Sequence, residues 1–232
     1  MNLSDYLTDL SYKELSNLSL SDSGSGTIKD DKIPFVVSCI NDALLRLYTR
    51  FILKEKSFIL ELKDWIGEYK LESKYAYSTG FSSNKYIMDG NKPFTDDLIK
   101  ILDVYDAYGK KIPINNTSNS LSIFTPKANV IQVPNIDLYG RLLSINYQAK
   151  HPILNYSSNP NQEIELPDSL LAALSSYVAY SIYNTMNTKE ASEAAQKYLQ
   201  TYVALVQETI ETDAVNSSIS QDNSRFSLNG WC

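Results

Sequence analysis

ELPDSLLAALSSYVAYSIYNTMNTKEASEAAQKYLQTYVALVQETIETDA, residues 165–214, carries the strongest periodic signal in the chain. Pro167 and Asp168 mark a helix start, and Leu170, Leu171, Leu174, Tyr177, Val178 and Ile182 recur at helical spacing. Asn187 followed three residues later by Glu190 resembles a capping box and predicts a second helix. Its apolar stripe runs Ala191, Ala194, Ala195, Tyr198, Leu199, Tyr202, Leu205, Val206 and Ile210. So short a junction predicts an antiparallel hairpin of helices, with the alanines permitting close approach near the turn.

Working toward the N-terminus, KIPFVVSCINDALLRLYTRFIL (32–53) predicts a third long helix. Pro34 suits its first turn, where a missing N–H costs nothing. Val36, Val37, Ile40, Ala43, Leu44, Leu47 and Phe51 form its apolar face, and Asp42 and Arg46, four apart, are placed to pair on the other side. Leu3, Leu7, Leu10, Leu15 and Leu18 predict one or two short leading helices with little core of their own. Between them and the long helix lies SLSDSGSGT (19–27). Its Gly24 and Gly26 match neither a Walker loop nor a dinucleotide fingerprint, and read as a joint.

From residue 55 to 156 the period falls to two. SFILEL (57–62), IKILDVYDAYGKKIPIN (99–115), LSIFTPKANVIQVPN (121–135) and RLLSINYQ (141–148) alternate and are broken by turn residues. A hairpin is expected across Asp106–Gly109, and YSTGFSSNKYIMDGNKPF (77–94) reads as loop. Pro113, Pro126 and Pro134 belong at edges, strand ends or loops. The expected fold class is α+β: an antiparallel helical bundle with an inserted small antiparallel β module and extended termini. The expected division is an N-terminal arm 1–32 with its Gly/Ser joint, a discontinuous bundle 33–54 plus 157–215, a β-rich module 55–156, and an extended C-terminal arm 216–232.

Composition narrows the function. The chain has 21 Lys and Arg against 27 Asp and Glu, a net charge of −6, and no basic stripe of the kind that grips phosphates. No apolar run reaches the ~20 residues of a membrane span, and MNLSDYLTDLSYKEL lacks the basic start and apolar stretch of a signal peptide, so synthesis and assembly in a cytoplasm are expected. Cys39 reads as a small core residue, and with Cys232 it has no metal-ligand spacing. The acidic pairs Asp30–Asp31 and Asp96–Asp97 read as solvated or dipole-complementing. No metal, cofactor or catalytic residue is expected. Seventeen tyrosines suit surfaces buried against a partner. In the arm, Arg225, Phe226, Leu228 and Trp231 are the candidate partner-binding residues, because large apolar groups in a polar tail favour insertion into a groove.

Taken in order, YKELSNLSLSDSGSGTI, INDALLRLYTRFILKEK, PFTDDLIKILDVYDAYGKKIPIN, FTPKANVIQVPN, INYQAKHPIL, LPDSLLAALSSYVAYSIYNTMNTKEAS and NSRFSLNGW resemble the head-to-tail adaptor, or connector, proteins of short-tailed bacteriophages. The resemblance implies a virion protein at the capsid vertex, assembled as a ring of twelve copies. The ring joins the portal above to the tail or nozzle proteins below, around a channel that double-stranded DNA crosses without specific binding. An acidic wall suits such a channel, since a wall attracting phosphates would brake the DNA. It implies no catalytic residues and no membrane. Two other functions compete: a β-rich module that binds carbohydrate or peptide on a helical scaffold, and a hydrolase built on His151, the sole histidine, although no G-x-S-x-G elbow is present.

Overall fold

Four α-helices and two small antiparallel sheets make up the described part of the chain, which is mixed α+β. The computed structural model describes residues 1–16, 18, 27–79, 84–90, 92–134 and 141–215. Gly24, Gly26 and the arm residues Arg225, Phe226, Leu228 and Trp231 lie outside them.

The first helix, α1 (Leu3–Tyr12), starts where the Asn2 side chain accepts from the Asp5 N–H at 2.8 Å. The leading segment is a short helix, as its leucine spacing predicts, and the N-terminus is therefore not extended. Leu3, Tyr6, Leu7 and Leu10 fall at i, i+3, i+4 and i+7, and this face is buried in a core shared with the later helices. Residues 160–164 hold the same end through Leu3 N–H to Gln162 O (2.9 Å) and Ile164 N–H to Met1 O (2.9 Å).

Helix α2 (Ile33–Arg50) buries the expected face from Val36 to Leu47, with Pro34 in its first turn. A 3-10 turn, Asp168–Leu170, leads into α3 (Leu171–Tyr183), and α4 (Lys189–Glu211) follows after five residues. Tyr183 stacks on Tyr198 at 5.5 Å and Tyr177 meets Tyr202 at 5.0 Å, so α3 and α4 run antiparallel. Ala191 and Ala195 pack with Ala179 and Tyr183 near their turn. Helix α3 is buried nearly all round. Ser175 and Ser176 are enclosed because Ser175 Oγ meets Tyr6 Oη at 3.1 Å and Ser176 Oγ donates to Ala172 O at 2.9 Å. The cap of α4 is Thr188, whose hydroxyl accepts from Ala191 N–H at 3.2 Å, and not Asn187; the helical backbone begins one residue later than the Asn187–Glu190 box requires.

The strands are β1 (Glu55–Glu61), β2 (Glu68–Lys70), β3 (Ile87–Met88), β4 (Leu98–Tyr105), β5 (Phe124–Lys127), β6 (Val130–Gln132) and β7 (Leu142–Ala149). One sheet has the order β3-β1-β7-β4 and the other β2-β6-β5. The stretch expected as loop thus contains a strand, β3, held by the pairs Leu60↔Ile87 and Ile59↔Met88. Pro126 sits on the edge strand β5, beside a register shift. At Asp106–Gly109 the chain turns as expected. Asp106 Oδ1 accepts from Tyr108 and Lys110 N–H, both at 2.9 Å, and Gly109 takes a φ of +79°. The returning arm pairs through one bridge, Tyr105↔Lys111.

Residues of both sheets form a second core around Phe58, Tyr69, Ile87, Ile131, Leu143 and Tyr147. Side chains tie the end of β7 and the segment after it to α2. The Gln148 amide donates to the Tyr48 carbonyl and, at 3.0 Å, to the Phe51 carbonyl. Asn41 exchanges two hydrogen bonds with the Leu154 backbone, at 2.9 and 3.1 Å.

Candidate interaction surface

Helix α2 has two unlike sides. Opposite its buried face it carries Asp42, Leu45 and Thr49, and on one flank Arg46 and Arg50, a turn apart. Helix α4 turns Tyr202 and Val206 inward and leaves Val203 and Gln207 exposed. Both helices pack on α3, and between them runs an open groove of ≈ 870 Å³ with Tyr177 and Tyr202 in its lining.

The Arg46 guanidinium lies over the Tyr177 ring, 4.9 Å from its centroid, and the expected pairing with Asp42 is not made. A ring face attracts a cation and sits here within reach, whereas an exposed i, i+4 ion pair gains little. Among the described residues no ion pair joins Arg46 or Arg50 to a carboxylate. Burial pushes the Tyr202 hydroxyl above its usual range, and the two arginines oppose this. Leu45 and Val203 are 45% and 57% exposed at the groove. Chemically, such a surface can take an apolar group flanked by anionic ones. Two signals pointed to it in the sequence: Leu45 and Val203 stand off their helices' apolar stripes, and two of only four arginines fall one turn apart.

His151 is buried against the Tyr48 ring, with centroids 5.4 Å apart. Its Nδ1 donates to Pro152 O at 2.6 Å and its Nε2 accepts from Glu165 N–H at 3.0 Å, which defines the neutral Nδ1–H tautomer. Burial holds its pKa below the usual histidine value, outweighing the nearby Glu165 carboxylate. Cys39 is buried, and burial pushes its thiol up to about 11. Asp96 accepts from the N–H and hydroxyl of Ser73, both at 2.6 Å, while Asp97 accepts from Tyr147 (3.0 Å) and Lys56 (2.5 Å). Among the described residues no group of three or more His, Cys, Asp or Glu is placed to hold a metal ion, and no helix is long and apolar enough to cross a membrane.

The tyrosines serve the chain's interior more than the composition suggested. Tyr48 donates to Glu165 O and Tyr86 to Lys70 O at 2.8 Å, while Tyr69 accepts from Lys63 N–H at 2.7 Å. Each ring thus fills a core while its hydroxyl meets backbone that the side chains around it enclose.

No protein-family model matches the chain, and no curated protein matches it either.

Proposed function

We propose that this chain is a structural virion protein, a ring-forming adaptor that joins a short-tailed phage portal to the tail and surrounds the DNA channel. In this proposal residues 33–54 and 157–215 form a helical bundle, residues 55–156 an inserted β module, and residues 216–232 an arm that reaches the portal. The ring has twelve copies, lies at the capsid vertex of the virion, and acts by shape. The observation that supports assembly is the groove between α2 and α4, where arginine, tyrosine and exposed apolar side chains meet, the residue types that dominate protein interfaces. The ordered run of segments resembling the adaptor family supports this particular assembly.

The test is to mix the purified chain with portal particles and image the product by electron microscopy. A symmetric annulus beneath the portal is expected, and particles without one would refute the proposal. Removing residues 217–232 is expected to weaken docking. Undiminished docking would reject the arm's assignment.

A further inference from the structure

We infer that His151 is a one-proton latch: a proton added to its ring frees the Glu165 backbone N–H, loosens residues 160–165 and thereby uncaps the first turn of α1. The latch belongs to the chain's own fold and does not depend on the adaptor proposal.

The buried ring has no place for a second proton. Its Nδ1 donates to Pro152 O and its Nε2 accepts from Glu165 N–H. An imidazolium donates from both nitrogens, so a proton on Nε2 would meet the Glu165 N–H donor to donor. That bond must break. The ring itself has little freedom, being 7% exposed and set edge-on against Tyr48 of α2. Residues 160–165 can yield more easily, because they belong to no helix or strand and Ile164 is their only buried side chain.

The same short stretch holds the start of α1. Leu3 N–H donates to Gln162 O at 2.9 Å and Ser4 N–H to Pro160 O at 3.0 Å, while Ile164 N–H donates to Met1 O at 2.9 Å beside an Asn2↔Glu163 bridge. Leu3 and Ser4 open α1, where N–H groups have no partner within the helix. Two carbonyls of the stretch therefore cap a helix whose N-terminus lies almost 150 residues from the histidine in sequence. Only three residues separate Glu165 from Gln162, so movement at one reaches the other.

The titratable and charged groups facing the ring are Tyr48 from α2, Lys54 from the link between α2 and β1, and Glu165. Burial raises the Tyr48 hydroxyl pKa, so it stays protonated and keeps donating to Glu165 O whatever the state of the histidine. The stretch therefore loosens at this point and stays tethered. The Glu165 carboxylate favours a charged ring and Lys54 opposes it, and the two pair with each other. Burial is the larger influence and holds the folded-state value below the ordinary histidine range. The opened form then binds the proton more readily, and acid favours opening.

The experiment is residue-resolved amide hydrogen exchange by NMR on the full chain at pH 5, 6 and 7, corrected for the intrinsic pH dependence of exchange. In wild type the opening constant at Glu165 is expected to rise about tenfold from pH 7 to pH 5, with Leu3, Ser4 and Ile164 rising beside it and Leu44 inside α2 unchanged. His151→Gln offers an acceptor oxygen and does not titrate, so its Glu165 opening should stay level. Opening that ignores pH in wild type, or rises equally in the Gln variant, overturns the latch. Leu3 and Ser4 protection that holds while Glu165 opens overturns the link to α1. The ring nitrogen shifts supply a check that needs no variant: a His151 that gains its proton with Glu165 protection unchanged also overturns the latch.

Discussion

Replacing His151 with Ala tests how the segment before α3 is anchored. The ring occupies a buried site, where Nε2 accepts from Glu165 N–H and Nδ1 donates to Pro152 O. Truncation leaves that N–H without its acceptor, at a cost of about 1–3 kcal/mol. Loss of the edge contact with Tyr48 adds about 0.5–1.5 kcal/mol. A total of about 2–4 kcal/mol corresponds to a fall in Tm of roughly 4–16 °C for a chain of this length. Acidification adds a second signature. Because the folded-state pKa is depressed, the unfolded chain binds the proton more readily, so His151 contributes stability above about pH 6.5 that is lost as the pH falls toward the folded value. The charged groups facing it are Glu165, which favours protonation, and Lys54, which opposes it and pairs with Glu165. His151→Gln keeps an acceptor near Glu165 and removes the titration. Thermal melts by circular dichroism at pH 5, 6, 7 and 8 should show the loss for Ala, a smaller loss for Gln, and a flatter pH profile for both. An Ala variant that melts like wild type at pH 8 would refute the anchoring role.

Two further outcomes concern the helices. Among the described residues the enclosed Oε2 of Glu14 has no hydrogen-bond partner, and burial raises its carboxyl pKa. A raised folded-state value means a contribution present below the ordinary value and lost as pH rises through the folded one, so Glu14→Gln should raise Tm at pH 7 more than at pH 4; an equal effect at both would count against it. Thr188→Ala should lower stability by about 1 kcal/mol in urea titrations while Asn187→Ala leaves it nearly unchanged. The reverse order would move the cap back to Asn187.

The long helices were legible because their signal is local. The face of α2 from Val36 to Leu47 and the inward Ala191, Ala195, Tyr202 and Val206 of α4 lie where their spacing puts them. Elements fixed by distant partners were harder. Strand β2 is three residues long and β3 two, too short to show a period, and they exist because Tyr69 pairs with Ile131 and Ile87 with Leu60. Ser175 and Ser176 do not count in an apolar stripe, yet their hydroxyls find partners and let α3 be buried around its girth. Arg46 shows the same limit at the groove: sequence spacing offered Asp42, whereas the fold supplied the Tyr177 ring from a helix more than a hundred residues away. The arm residues Arg225, Phe226, Leu228 and Trp231 lie outside the described residues, and the groove is built from residues that the sequence reading did not single out as a site.

The clasp of Gln148 on the carbonyls at the end of α2 spans 100 and 97 residues of sequence. A ribosome therefore releases α2 long before the amide that completes it, and until then water must stand in at the helix's last turn. Pairing of β7 with β1 and β4 brings that amide into position. The sheet's final zipping and the helix's final closure are thus a single moment in the life of the nascent chain.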